Sequence, residues 1–101
     1  MTPQELAFVR AELFGRTWSP TFEGRSVTWT CDNLNWTGLR CAVALNDGAG
    51  QYRDMTLEAF DAAGVAAFVA LIGTCLQAQF EAECEAAAAA IEFDDLIGEV
   101  L

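Results

Sequence analysis

The sequence predicts an α+β domain: an N-terminal helix, an antiparallel sheet of three to four strands, and a long acidic C-terminal helix packed on one face of that sheet. Three observations support this fold class. The chain opens on a capped helical pattern, then alternates apolar and polar side chains between turn residues, and ends in an alanine-rich stretch of helical period. Because 101 residues with 53% hydrophobic composition suit one core, we assign residues 1–101 to a single domain.

The N-terminal segment carries the signals of a helix start and stop. Thr2 is a favourable N-cap, Pro3 suits the first helical position, and Glu5 completes a capping box with Thr2. Gly15 supplies a C-terminal stop. We therefore predict a helix over residues 3–14. The apolar residues that recur along it at helical spacing are Leu6, Val9 and Leu13.

The middle of the chain has the period of β-strands. Alternation predicts strands over residues 26–31, 39–45 and 51–57, because successive side chains of a strand point to opposite faces. Residues 32–38 and 46–50 are rich in turn-forming residues and are predicted to connect these strands as hairpins. The side chains expected on the buried faces of the first two strands are Val27, Trp29, Cys31, Leu39, Cys41, Val43 and Leu45.

The predicted sheet has aromatic edges and one flat face. Residues 16–22 form at most a short edge strand, because Pro20 cannot donate a ladder hydrogen bond. Trp18 and Trp36 are expected in edge or loop segments, as lids over the core or as anchors for a partner, with the lid favoured. Arg40 and neighbouring alanines face outward and leave a flat surface that a second copy could pair with, giving a homodimer.

A helical pattern follows Asp61, which suits an N-cap, and runs to about Ile91. Residues 92–101 either continue this helix or form a second short one. Gly64 and Gly73 each weaken the helix and mark close packing or a kink. At 100° per residue, the face expected to close the core consists of Val65, Phe68, Val69, Ile72, Leu76, Phe80, Cys84 and Ile91.

The net charge of −10 is confined to the second half of the chain. Residues 1–53 hold five acidic residues and all five arginines, which sum to zero, whereas residues 54–101 hold ten acidic residues and no base. The chain has no lysine, so its composition argues against direct binding to nucleic acid, which depends on neutralising phosphates.

Five acids fall on one line of the C-terminal helix, opposite the predicted core face, if the helix is unbroken. Such a ladder of carboxylates could occupy a groove of a protein lined by Lys and Arg. Alternatively, it is only the solvated face that any amphipathic helix needs, although no base balances it. The five candidate partner-binding residues are Glu81, Glu85, Glu92, Asp95 and Glu99.

Catalytic and metal-binding residues are scarce. The chain lacks His and Lys, no Ser or Cys has an adjacent base, and no cysteine spacing is typical of zinc. We therefore expect no enzymatic activity, no metal and no cofactor. The four cysteines are expected to be reduced and buried, with Cys75 and Cys84 on opposite faces of their helix.

The N-terminus has no secretory signal pattern. The most apolar stretch, Val65 to Ile72, is interrupted by Gly73 and Thr74 before it reaches the length of a membrane span. These observations predict a cytoplasmic protein without a membrane segment.

A strongly acidic α+β chain of 101 residues without a catalytic motif resembles the small inhibitors that phages and other mobile elements encode, including anti-CRISPR proteins and DNA mimics. The resemblance covers size, charge and architecture. It implies a non-catalytic inhibitor that presents its acids to a basic nucleic-acid-binding surface of a defence complex in a bacterial host cell. A different class is also compatible: an acidic assembly subunit, such as a phage virion component or secretion-type chaperone, acting through its sheet and aromatic edge.

Overall fold

The structure, a computed structural model, describes residues 2–100, with side chains described through residue 89. It confirms the α+β class. Four strands form an antiparallel sheet in the order β1-β4-β5-β6, and β2 and β3 form a separate two-stranded sheet. The elements are α1 (Pro3–Leu13), β1 (Thr17–Trp18), β2 (Thr21–Phe22), β3 (Arg25–Ser26), β4 (Trp29–Thr37), β5 (Arg40–Asn46), β6 (Tyr52–Leu57) and α2 (Ala62–Val100).

Helix α1 begins where the sequence predicts and ends one residue earlier, at Leu13. Thr2 Oγ1 accepts a hydrogen bond from the Glu5 amide, and Glu5 Oε1 accepts one from the Thr2 amide, both at 3.1 Å. The hydrogen bonds from Thr2 lower the pKa of the Glu5 carboxyl. The capping box is therefore confirmed, and Gly15 follows the helix with a φ of 80°.

Strand β4 differs from its prediction. We predicted a strand over residues 26–31 followed by a turn over 32–38, whereas one strand runs through Trp29–Thr37. Residues 25–26 pair with β2 as β3 instead of opening this strand, and a β-bulge between Cys31 and Asn33 explains why it continues past Cys31. Because the bulge inserts one extra exposed residue, the alternation resumes one position later and the strand continues.

Beyond the bulge, the residues that resemble turn formers are the exposed side chains of the strand. Leu34 is buried and Trp36 half-buried, and they face the core opposite Val43 and Cys41 of β5. The actual turn between β4 and β5 is Gly38-Leu39, where Gly38 has a φ of 62°. The assignment of Leu39 to the buried face was therefore wrong, since its side chain is 79% exposed at the turn.

The remaining strand predictions hold in outline. The turn over residues 46–50 is confirmed, and Asp47 Oδ1 holds it by accepting hydrogen bonds from the amides of Ala49 and Gln51. Residues 16–22 are divided at Pro20: β1 pairs with the edge of β4, while β2 turns away to pair with β3.

Helix α2 has the longer of its two predicted extents. Asp61 Oδ1 accepts a hydrogen bond from the Gly64 amide at 2.8 Å, which confirms Asp61 as the N-terminal capping residue. The helix then runs unbroken to Val100, so residues 92–100 continue it rather than form a second helix. Its 39 residues rise about 58 Å and account for most of the 65 Å long axis of the molecule.

The core lies between the sheet and the two helices. Trp29 of β4 is 5% exposed there, as predicted. On α2, Val69 and Phe80 are half-buried, and Ile91 lies outside the described side chains. The remaining side chains of the predicted core face are buried: Val65, Phe68, Ile72, Leu76 and Cys84.

Candidate partner-binding surface

Glu81, the first predicted site residue, is half-buried rather than free on the helix surface. Its Oε1 accepts a hydrogen bond from Gln77 Nε2 at 3.0 Å. Gln77 is itself fixed, because its Nε2 donates to the carbonyl oxygen of Thr21 and its Oε1 accepts from the Thr21 amide. The carboxylate of Glu81 is thus held against α2 by a contact with β2.

Glu85 is exposed, and no ion pair or hydrogen bond engages its side chain among the described residues. Glu92, Asp95 and Glu99 lie outside the described side chains, and α2 runs through all three positions. Of the five predicted acids, the structure therefore describes two, which follow each other by one turn on the same side of the helix.

Glu83 lies on a different side of α2 and accepts a hydrogen bond from Gln79 Nε2 at 2.8 Å. It borders a small pocket of about 140 Å³. Because ligand sites for drug-sized molecules span roughly 300 to 1,000 Å³, this pocket is too small for such a ligand. Its walls are Val27, Trp29, Asp47, Gln51, Leu76, Gln79, Phe80 and Glu83.

Sequence reasoning missed the uncharged surface that precedes the acids. No charged residue occurs between Ala62 and Phe80, and the side of α2 that faces away from the core is exposed along this stretch. Leu71 is 51% exposed there. The run without charged residues is visible in the sequence, but alanine is also the best helix former, so its abundance indicates a helix before it indicates a surface.

By length and composition, residues 62–89 of α2 could cross a membrane. The interruption at Gly73 and Thr74 therefore does not exclude a span, because the mean hydropathy of an 18-residue window here is 1.6. One such helix is weak support for a membrane protein, since the core helix of a soluble domain can pass the same test.

The outer face of the sheet is the second predicted surface, and it is open. Arg40 is exposed on it and pairs with Glu58 at 3.3 Å, and Ala42 and Ala44 follow on the same face, as predicted. Tyr52 adds an aromatic ring that is 71% exposed. This face is mostly uncharged and polar, with small side chains at its centre.

The two tryptophans considered as anchors are lids. Trp18 Nε1 donates a hydrogen bond to the Val69 carbonyl at 3.1 Å, and its ring lies beside Gly73 of α2. Trp36 belongs to β4 rather than to a loop, and its ring centroid is 5.6 Å from that of Phe60. Both side chains are half-buried, so the interpretation as a lid is confirmed over that of an anchor.

The cysteines offer little chemistry. Burial raises the pKa of Cys41 to about 11 and also raises that of Cys31, so both remain thiols at neutral pH. Cys84 is buried but Cys75 is exposed, which confirms their opposite faces and corrects the expectation that all four are buried. Within the described residues, no three metal-ligating side chains cluster.

Comparisons with known proteins assign no family. No protein family model, curated protein or solved structure matches this chain. An α+β fold alone hosts many unrelated functions, so a function has to be argued from the surfaces described above.

Proposed function

We propose that this protein is a non-catalytic inhibitor that binds a basic protein surface through the acids of α2, in the manner of the phage-encoded inhibitors it resembles. The observation that carries the proposal is the excess of ten acidic residues without a base after Arg53, with Glu85 exposed on a helix of 39 residues. The target is a nucleic-acid-binding surface of a host defence complex in the bacterial cytoplasm.

The geometry of α2 supports this proposal. Glu81 and Glu85 are one helical turn apart, about 6 Å along the axis. A groove that holds nucleic acid is lined by Lys and Arg to bind phosphates spaced by a few ångströms. Because Glu81 is held by Gln77, part of the ordering cost of its side chain is met before binding.

The open outer face of the sheet favours a second candidate function, an assembly subunit. Tyr52 is exposed beside the half-buried Ala42 and Ala44 of β5, on a face that no helix covers within the described residues. Such a contact would depend weakly on salt, whereas binding through carboxylates should weaken steeply as ionic strength rises, because exposed charges are screened beyond about 8 Å at physiological salt.

Free nucleic acid is the first test. We expect no retardation of duplex DNA or single-stranded RNA in a gel at physiological salt, because the second half of the chain repels phosphates. Retardation by the purified protein at micromolar concentration would contradict the proposal that the protein binds a basic protein surface and not nucleic acid.

Charge reversal is the second test. The double substitution Glu85→Arg and Glu92→Arg is expected to weaken binding to the captured partner by about 30-fold or more, partly through slower association. Stability should change little, because Glu85→Arg replaces repulsion from Glu81 by attraction. The partner is captured from bacterial lysate at low salt and its affinity measured by surface plasmon resonance, with DNA added as a competitor.

A matched control changes the net charge equally on other surfaces. Glu83→Arg together with Glu23→Arg also converts two exposed acids, one of them on a different side of α2. This control should bind nearly as well as the original protein. Equal loss in both double variants would mean that only net charge matters, and undiminished binding by the Glu85 and Glu92 variant would move the site to the sheet.

A further inference from the structure

The side of α2 opposite the core changes character along its length. At 100° per residue, the positions on this side include Ala63, Ala67, Ala70, Thr74, Glu81 and Glu85. All of them are exposed except Glu81, which is half-buried. We call the first four of these positions the apolar half and the two glutamates the acidic half.

The apolar half has no partner within the described fold. Of the most apolar 18-residue window of α2, 22% is buried, although a helix that is apolar on all sides is normally covered. The Thr74 hydroxyl donates to the Ala70 carbonyl at 3.1 Å, so its hydrogen-bonding need is met by the helix itself. An exposed apolar surface of this kind is typical of an interface.

An open groove joins the two halves. It is shallow and open to solvent, because α2 alone forms it, and the small side chains along it would let a second helix approach closely, to about 8 Å between axes. Apolar side chains that fill the groove come to lie beside the Glu81 carboxylate. The groove is lined by Ala70, Gly73, Thr74, Gln77, Ala78 and Glu81.

Charge argues against a second copy of this chain as the occupant. In a parallel pair, the acidic halves would face each other and repel. In an antiparallel pair that overlaps over the whole of residues 63–85, Glu85 and Glu81 of one copy would be desolvated against Ala63 and Ala67 of the other without a compensating base. An anionic membrane surface is disfavoured for the same reason, because the chain has no base after Arg53.

We infer that this side of α2 docks a single helix of a different protein, with apolar side chains against the apolar half and Lys or Arg against the acidic half. The inference rests on the proposed function, since it assumes the same basic partner, and it specifies the partner's shape. Ala63 to Glu85 spans about 33 Å along the axis, so the docked helix has about 22 residues.

A pair of synthetic peptides tests the arrangement. Both are fluorescein-labelled helices of about 22 residues with the same composition. In the segregated peptide, leucines occupy one stripe in the first half and arginines continue that stripe in the second half, whereas the other peptide interleaves them. We expect the full-length protein to bind the segregated peptide about tenfold more tightly by fluorescence anisotropy. Equal affinities would overturn the inference.

The substitution Ala70→Glu is expected to change the peptide affinity in opposite directions for helix docking and for electrostatic attraction alone. It should weaken binding of the segregated peptide by about tenfold, since it buries a carboxylate against leucine. If attraction were only electrostatic, the added charge would tighten binding instead. Ala11→Glu adds the same charge at an exposed position of α1 and should leave the affinity unchanged. Thermal melts by circular dichroism verify that both variants fold.

Two further measurements decide between occupants. Sedimentation should show a monomer; a dimer that Ala70→Glu dissociates, or cosedimentation with phosphatidylcholine vesicles, would overturn the inference. Glu85→Arg tests the other half of the surface. Unchanged peptide affinity in that variant refutes the acidic half of the docking surface, and unchanged peptide affinity in Ala70→Glu refutes the apolar half. The proposed function fails separately, if the Glu85 and Glu92 variant binds the captured partner undiminished.

Discussion

Trp29→Ala is expected to lower the free energy of unfolding by about 3 to 5 kcal/mol, because it removes a large side chain from the centre of the core. Trp29 is 5% exposed, and the Arg53 guanidinium lies 5.9 Å from its ring centroid on the adjoining surface. Small domains have a total stability of about 5 to 15 kcal/mol, so the loss is a large share of it. Urea unfolding followed by circular dichroism measures the change.

Tyr52→Ala is the matched aromatic control. Tyr52 is 71% exposed on the outer face of the sheet, so its removal should cost less than about 0.5 kcal/mol. If Trp29→Ala unfolded cooperatively at the midpoint of the original protein, the ring would not be part of the core, and the assignment of faces on β4 would be reversed.

Periodicity and capping residues predicted much of the fold. The capping box at Thr2 and Glu5, the turn over residues 46–50 and the cap at Asp61 were each correct because short-range chemistry determines them. The predicted alternation of β5 was also correct, because one face of that strand is buried and the other is not. These features need only a few neighbouring residues to be recognised.

The errors arise where neighbours along the chain are not enough. The bulge after Cys31 shifts the alternation by one residue, which made exposed asparagines resemble a turn. The hairpin of β2 and β3 turns at Glu23-Gly24, where both residues have positive φ angles of 50° and 78°. Such turns favour Asn-Gly, and Glu at the first position gives a weak signal.

The sequence predicted which side of α2 carries the candidate acids, but not which residues contact them. A helical wheel placed Glu81 and Glu85 opposite the core, and Glu85 is exposed there. The wheel could not show that Gln77 joins Glu81 to Thr21, because the hydrogen bonds between Gln77 and Thr21 link positions 56 residues apart. Local pattern fixes which side of a helix a residue occupies, whereas its burial depends on what packs beside the helix.

Alanine in place of the two glycines of α2 is expected to change stability in opposite directions. At Gly64, a Cβ would lie 2.5 Å from Ala59 Cβ and 2.7 Å from the Asp61 Oδ1 that caps the helix. We therefore expect a loss of about 1 to 3 kcal/mol in Gly64→Ala, since overpacking and a disturbed cap outweigh the helix preference of alanine.

At Gly73, the same Cβ would lie 3.5 Å from Trp18 Cδ1, which is ordinary van der Waals contact. Gly73→Ala should therefore raise stability by up to about 1 kcal/mol, because alanine favours the helix and adds a contact with the Trp18 lid. The two variants share one helix and one substitution, so urea midpoints compare them directly. A loss at Gly73 equal to that at Gly64 would mean that the Trp18 ring packs more tightly on α2 than the 3.5 Å separation indicates.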